Sequence, residues 1–298
     1  MKIIALATCH NRKFYTLRAL NSIFSQNLPD DYHLTVCLVD GGSSDGTVVE
    51  VREKFPQVNL IMGTDSLFWA SGMYYGWIHF VKDRAFDFLF VFNDDILLFE
   101  DSLKSLVNLG KEILSSGERN FAITGALKEP NSESVSYGGV VRSCFWHPLR
   151  FHKIPPNNKL QLCDTLNMNC VLISYKAVNK IGLLKDYVHG RADYDFGLRL
   201  KGLGGKIFLT PGFVGECKLN PNENSSLSPD LTLKSRWQKF VSIKEQNPKE
   251  RATYYRRHCG KLWFFFWLLP YYRFWLRFFW LEFKFFLFRV LTKGKTKK

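Results

Sequence analysis

The chain lacks the paired cysteines of a disulfide framework or a zinc site. Its seven cysteines, Cys9, Cys37, Cys144, Cys163, Cys170, Cys217 and Cys259, show no C-x-x-C spacing. An odd, scattered set fits poorly with closed bridges, so a reducing compartment is expected. The histidines, among them His10, His79, His147, His152, His189 and His258, fall at no metal-ligand spacing. Long uncharged runs are also missing: the longest in the aromatic tail, Leu262–Tyr272, covers eleven residues, and a simple membrane span needs about 20. The opening MKIIALATCHNRK turns polar by position 9, which is too short an apolar run for a signal peptide and suits a first strand. No internal repeat or heptad pattern occurs.

Acidic residues are few, 27 against 41 basic ones, for a net charge of +14. Thirteen Lys or Arg against two Glu between Pro248 and Lys298 account for +11 of that excess. The rest of the chain is therefore close to neutral, which argues against nucleic acid as the partner, because a binding domain carries its cations on the folded surface. The hydrophobic content of 46% excludes a disordered protein, and 298 residues allow one large α/β domain plus an appendage.

Up to about Leu209 short apolar runs alternate with longer amphipathic ones, the rhythm of βα units. Strands are predicted at Ile3–Ala7, Leu34–Val39, Asn59–Met62, Phe88–Phe92, Ala122–Thr124 and Cys170–Ser174. Helices are predicted at about Lys13–Ser25, Thr47–Phe55, Ala70–Val81, Ser102–Ser115, Lys176–Ile181 and Asp193–Leu203. Several strands are apolar throughout, as expected when helices cover both faces of a mostly parallel sheet. Asn220–Asp230, rich in Pro, Asn and Ser, reads as a loop. The expected division is a catalytic domain over 1–220, a linker and helical segment over 221–260, and a tail over 261–298.

Between Leu262 and Phe288 sixteen of twenty-seven residues are aromatic, and on a helix of about 100° per residue Arg273, Arg277 and Lys284 share one side. Such a helix suits the interface of an anionic membrane, with Lys293, Lys295, Lys297 and Lys298 adding attraction. Packing of the rings on the catalytic domain, or an insertion broken at Pro270, are the alternatives.

Three acidic positions bear on chemistry. An apolar strand delivers Asp40 to the carboxyl edge of the sheet, before the turn Gly41-Gly42-Ser43-Ser44-Asp45-Gly46-Thr47. Open α/β sheets bind ligands at that edge; a turn closed by a helix cap accounts for Asp45 but gives Asp40 no task. After Phe90-Val91-Phe92 come Asn93-Asp94-Asp95, adjacent carboxylates that make sense if a divalent cation and phosphate oxygens neutralise them. An acidic turn before the next helix is the plainer reading. Asp193 opens a helix with no cation at the favoured spacing, which leaves it as a cap or as a base. Asp195 and Arg199, four apart, can pair with each other.

In this order the three sites resemble the family-2 glycosyltransferases of the GT-A fold. The matching stretches are Thr8-Cys9-His10-Asn11-Arg12, Val39–Thr47, the DXD-like Asn93-Asp94-Asp95, and Asp193-Tyr194-Asp195 with Leu198-Arg199. Trp69-Ala70-Ser71-Gly72-Met73 is similar to a stretch of the rhamnosyltransferase-like branch. The resemblance covers roughly 1–220 and implies an α/β GT-A fold, Rossmann-like with a mostly parallel central sheet flanked by helices, here with a C-terminal helical membrane-associating extension.

It further implies donor binding by Thr8, Asn11, Arg12, Asp40, Asp45, Gly72 and Asp94, with Asp95 on Mg²⁺ or Mn²⁺ and Asp193 as general base of an inverting transfer. Trp69, His189 and Asp195 would lie toward the acceptor. The implied partners are a nucleotide-sugar, dTDP-rhamnose or a UDP-hexose, and a lipid-linked or polysaccharide acceptor. The implied location is the cytoplasmic face of a bacterial inner membrane, peripheral or monotopic. The chain departs from the pattern at Asn93, at Ala192 before the base, and after the last strand. There Val214-Gly215-Glu216-Cys217 carries no histidine, which leaves Glu216 or Cys217 as further ligands.

Overall fold

A computed structural model describes residues 1–184, 186–219, 225–228 and 231–293, with side chains described up to 280. Most of the expected loop at 220–230, the tail's last lysines and the side chains of Lys284 and Arg289 lie outside the described residues. The first strands, β1 (Lys2–Cys9), β2 (His33–Asp40), β3 (Asn59–Met62) and β4 (Phe88–Phe92), are parallel in the order β3-β2-β1-β4. Between them run the helices α1 (Lys13–Phe24), α2 (Thr47–Lys54) and α3 (Trp69–Gly76), the last continuing as a π-helical turn, Trp77–Val81.

Alternation along each strand explains why these runs are apolar throughout. Ile3, Ala5 and Ala7 face one core with Phe88, Phe90 and Phe92; Ile4 and Leu6 face the other with Leu89 and Val91. The first core is closed by Ala19, Leu20 and Ile23 of α1 and by Leu103, Leu106 and Val107 of α4 (Ser102–Ser115). The second is closed by α3 and by later helices. The sheet is buried on both faces, as its composition requires.

Beyond β4 the sheet is mixed. After the two-residue β5 (Leu97–Leu98) come β6 (Phe121–Lys128) and the short β7 (Val135–Tyr137). A small separate sheet follows, in which β8 (Gly139–Arg142) pairs with both β9 (Phe151–Lys153) and β11 (Thr165–Leu166). The two-residue β10 (Gln161–Leu162) joins the main sheet's edge. Strand β12 (Cys170–Ser174) inserts antiparallel between β4 and β6. The helices α5 (Tyr175–Ile181) and α6 (Ala192–Gly202) lead to β13 (Lys206–Glu216), parallel to β6.

Three more helices complete the chain: α7 (Leu233–Phe240), α8 (Pro248–His258) and α9 (Trp263–Lys293). Asn247 caps α8 by accepting from the N–H groups of Lys249 and Glu250, with Pro248 in the first turn, where its missing N–H costs nothing. Tyr254 and Tyr255 of α8 and Phe266 of α9 belong to the second core. Helix α9 runs through Pro270 without stopping. One side of it packs on α7 and α8, where Trp237 stacks near Tyr271, Phe274 and Trp275, the Trp267 indole donates to the Pro248 carbonyl and the Tyr271 hydroxyl to that of Gln246. On the other side Phe265, Leu268, Tyr272, Leu276 and Phe279 stand exposed, three or four apart, beside exposed Arg273 and Arg277. No described helix is long and apolar enough to cross a membrane.

Candidate active site

The strand order turns around β1: β2 lies on one side of it and β4 on the other. Ligands of open α/β sheets bind where neighbouring strands diverge in this way. Cys9 pairs with Asp40 at the ends of β1 and β2, and β4 ends at Phe92 beside β1. The segments after these three strands therefore leave one sheet edge together. They form one wall of a cleft of about 720 Å³, and the segment before β12 and the start of α6 form the other.

Thr8, Arg12, Trp69, Gly72, Asp94, Asp95, His189 and Asp193 all line that cleft. Arg12 bridges the carboxylate pair: one nitrogen donates to Asp94 at 3.0 Å, the other to Asp95 at 2.6 Å. Asp94 is buried, and among the described residues its second oxygen has no hydrogen-bond partner. Burial raises its pKa, Arg12 opposes, Asp95 pushes it further up, and the result is about 7. The Cys217 thiol donates to Asp95 at 3.5 Å. Burial first, then Asp95, raise the pKa of Cys217, so the sulfur stays protonated. Asn93, which precedes the pair, also lines the cleft and accepts from the Trp69 indole at 2.9 Å.

Across the cleft Asp193 accepts from its neighbour Tyr194 N–H at 2.8 Å and from the Asn167 amide at 3.3 Å. Burial raises its pKa against these two hydrogen bonds, which makes it a stronger base than an exposed aspartate. Gly72 lets α3 sit against the end of β1, since a Cβ there would lie 2.8 Å from the Thr8 methyl.

Asn11, Asp40, Asp45 and Asp195 do not line the cleft. Asp40 is fully buried and accepts from the N–H groups of Gly42 and Ser43 at 2.9 and 2.8 Å, with the Cys9 thiol at 3.4 Å. Its carboxylate thus builds the turn beneath the cleft floor, where Gly42 takes φ +80°. Asn11 accepts from Ser44 N–H, and Asp45 from the N–H groups of Lys13 and Thr47, so both tie the first loop to the second.

Asp195, expected toward the acceptor, points the other way. It is fully buried on α6, receiving Arg199 at 2.6 Å, Arg257 at 2.8 and 2.9 Å, and a His258 ring nitrogen at 2.9 Å. Burial alone would raise its pKa; His258 and the arginines outweigh that and hold it at about 2. The helical spacing to Arg199 gave half of this arrangement, and Arg257 and His258 of α8 complete it.

Sequence reasoning missed Asn167, whose only trace is a polar Asn167-Met168-Asn169 stretch ahead of an apolar strand. It also missed Arg191 and Lys244, which line the cleft from loops, the latter between α7 and α8. Glu216, at the end of β13, does not line the cleft, whereas Cys217 reaches Asp95. Among the described residues no three His, Cys, Asp or Glu side chains form a metal-binding group.

The site is a mixed α/β sheet with an arginine and two carboxylates at its carboxyl edge, facing the half-buried carboxylate of Asp193 across an open cleft. The model of glycosyl transferase family 2 matches residues 5–180, more than half of the chain, and the chain belongs to that family. The fold is that of the GT-A glycosyltransferases, as three solved structures illustrate. A mannosyltransferase from Pyrobaculum calidifontis, solved with GDP-Man and Mn²⁺, aligns at TM-score 0.53 and 16% identity over 81% of this chain and 62% of its own. GalNAc-T7, solved with UDP, GalNAc and Mn²⁺, aligns at TM-score 0.59 and 12% identity over 86% and 50%. TarS 1–349 from S. aureus aligns at TM-score 0.51 and 16% identity over 86% and 78%. The chain thus spans less than two thirds of the first two. No curated protein matches it.

Proposed function

We propose that the chain transfers a sugar from a nucleoside-diphosphate sugar to a hydroxyl of a lipid-linked or polysaccharide acceptor, with inversion at the anomeric carbon. The observation that carries this reading is the placement of Asp193 across one cleft from the Arg12–Asp94–Asp95 cluster. The acceptor proton passes to Asp193 as the hydroxyl oxygen bonds to the anomeric carbon. The bond from that carbon to the diphosphate oxygen breaks on the opposite face, and its electron pair leaves with the diphosphate. The raised pKa of Asp193 suits it to take the proton, and Asn167 orients it.

Asp95 and Asp94 fit a divalent cation, because among the described residues one buried oxygen of Asp94 has no partner and the Asp95 carboxylate meets only Arg12 and the Cys217 thiol. Mg²⁺ or Mn²⁺ there, completing its ligand set from the donor, would neutralise the departing diphosphate. Arg12 is the chain's own cation for the same charge. Thr8 and Gly72 border the nucleoside, while Asp40, Asn11 and Asp45 serve it through the loops they build.

The Trp69–Met73 stretch supports dTDP-rhamnose as the donor, with a UDP-hexose as the alternative. We further propose that α9 lies on an anionic membrane surface in cell-surface glycan synthesis, at the cytoplasmic face of a bacterial inner membrane. The support is its exposed apolar stripe bordered by Arg273 and Arg277. The test is Asp193→Asn, which should bind nucleoside diphosphate as the parent does and lose transfer by about 10²- to 10⁴-fold. Transfer at the parent rate would remove Asp193 from the chemistry.

A further inference from the structure

The acceptor-side wall of the cleft is a loop, His189-Gly190-Arg191, that leads directly into α6 and Asp193. Arg191 stands at φ +67°, an uncommon conformation for a residue with a side chain, which persists only where the surroundings hold it. The residues just before it are held in part from α8, outside the matched span of residues 5–180.

Glu250, in the first turn of α8, is 7% exposed, and among the described residues no cation pairs with its carboxylate. A buried carboxylate is costly unless its lone pairs are taken. Here three consecutive backbone N–H groups take them: Val188 and His189 donate to one oxygen, the latter at 2.9 Å, and Gly190 to the other at 3.1 Å. Seven and eight residues further along α8, on the same helix face, Arg257 and His258 grip Asp195 of α6. Two turns of one helix thus hold both the loop before Asp193 and the helix that carries it. The Val188 carbonyl in turn accepts from Ser71 N–H of α3, so the wall is fixed on its other side as well.

We propose that Glu250 is a positioning residue for sugar transfer: by gathering the N–H groups of Val188, His189 and Gly190 it sets the acceptor wall and the approach to Asp193, while leaving the nucleotide side alone. The proposal rests on Asp193 being the base. It also gives the C-terminal helices a task in the reaction beyond any membrane contact, because the first turn of α8 is itself pinned by Trp267 and Tyr271 of α9.

The test compares the full chain with Glu250→Ala and Glu250→Gln. Three quantities are measured: hydrogen exchange of the amides at 188–190, calorimetric affinity for UDP and dTDP with Mn²⁺, and transfer of labelled sugar from a UDP- or dTDP-sugar into a membrane lipid extract. Glu250→Ala should speed exchange at 188–190 by tenfold or more and raise the extract concentration needed for half-maximal transfer by a similar factor. Nucleotide affinity should stay within twofold. Glu250→Gln keeps one carbonyl acceptor and should fall between. Unchanged exchange, or transfer falling only in step with nucleotide affinity, would overturn the proposal. If the parent chain neither binds nor turns over any nucleotide, the transferase reading fails instead, and the exchange measurement still decides whether Glu250 holds the loop.

Discussion

Replacing Asp195 with Asn keeps the side chain's shape and removes its charge. Asp195 is fully buried and receives Arg199, Arg257 and His258, and its carboxyl is held at about 2 against an ordinary 3.8. That difference corresponds to about 2 kcal/mol of stability at neutral pH. The sign follows from the depressed pKa: the contribution is complete above the unfolded value near 4 and is lost as pH falls toward 2. Asp195→Asn also leaves Arg199 without its carboxylate and Arg257 with Asp186 alone, so the total expected loss at pH 7 is about 3 kcal/mol. Urea unfolding of parent and variant at pH 7 and near pH 3 measures it. The gap should be open at pH 7 and narrower at pH 3, where the parent carboxyl also begins to take up a proton. A variant as stable as the parent at pH 7 but unable to transfer sugar would refute the structural assignment and return Asp195 to the acceptor side.

The pKa of about 7 at Asp94 predicts that divalent cation binding releases a proton and strengthens as pH rises through 7, then levels off; Mn²⁺ titration calorimetry in two buffers of different ionisation heat reads both effects. Gly72→Ala forces a methyl to 2.8 Å from Thr8, which should cost about 1–2 kcal/mol by chemical denaturation and weaken nucleotide affinity, because α3 must retreat from the end of β1. Arg273→Glu with Arg277→Glu should reduce sedimentation with anionic vesicles by tenfold or more at low salt and leave neutral vesicles unaffected, each cation being worth about 1 kcal/mol at such a surface.

Strands and helices were legible wherever an apolar run ended in polar turn residues. Asn59–Met62, Phe88–Phe92, Ser102–Ser115 and Cys170–Ser174 have the bounds that their patterning predicts. Strand β13 was not legible, because Pro211 and Gly212 interrupt it; the chain accommodates them with register shifts between Leu209 and Phe213 and between Phe213 and Gly215. The small sheet of β8, β9 and β11 has strands of two to four residues, too short to show a period.

At the site the sequence pointed to the sheet edge where Arg12, Asp94 and Asp95 gather and could not say which way each carboxylate turns. Asp40 lies where an apolar strand must deliver it, yet the demand of two turn N–H groups points it into the fold. Arg12 clamping Asp94 and Asp95, and Glu250 gathering three amides, join residues about eighty and sixty positions apart. No local pattern encodes such pairings. The tail's rings serve two purposes that composition merges: Phe266, Trp267 and Tyr271 pack inward, and Phe265, Tyr272 and Phe279 face out.

Release of nucleoside diphosphate from UDP-, dTDP- and GDP-sugars, measured with Mn²⁺ and again with EDTA, tests the central claim most directly. At least one donor should turn over, the chelator should abolish it, and Asp95→Asn should match the chelated parent. Failure to bind or turn over every donor, or release indifferent to both the metal and Asp95, would contradict the account.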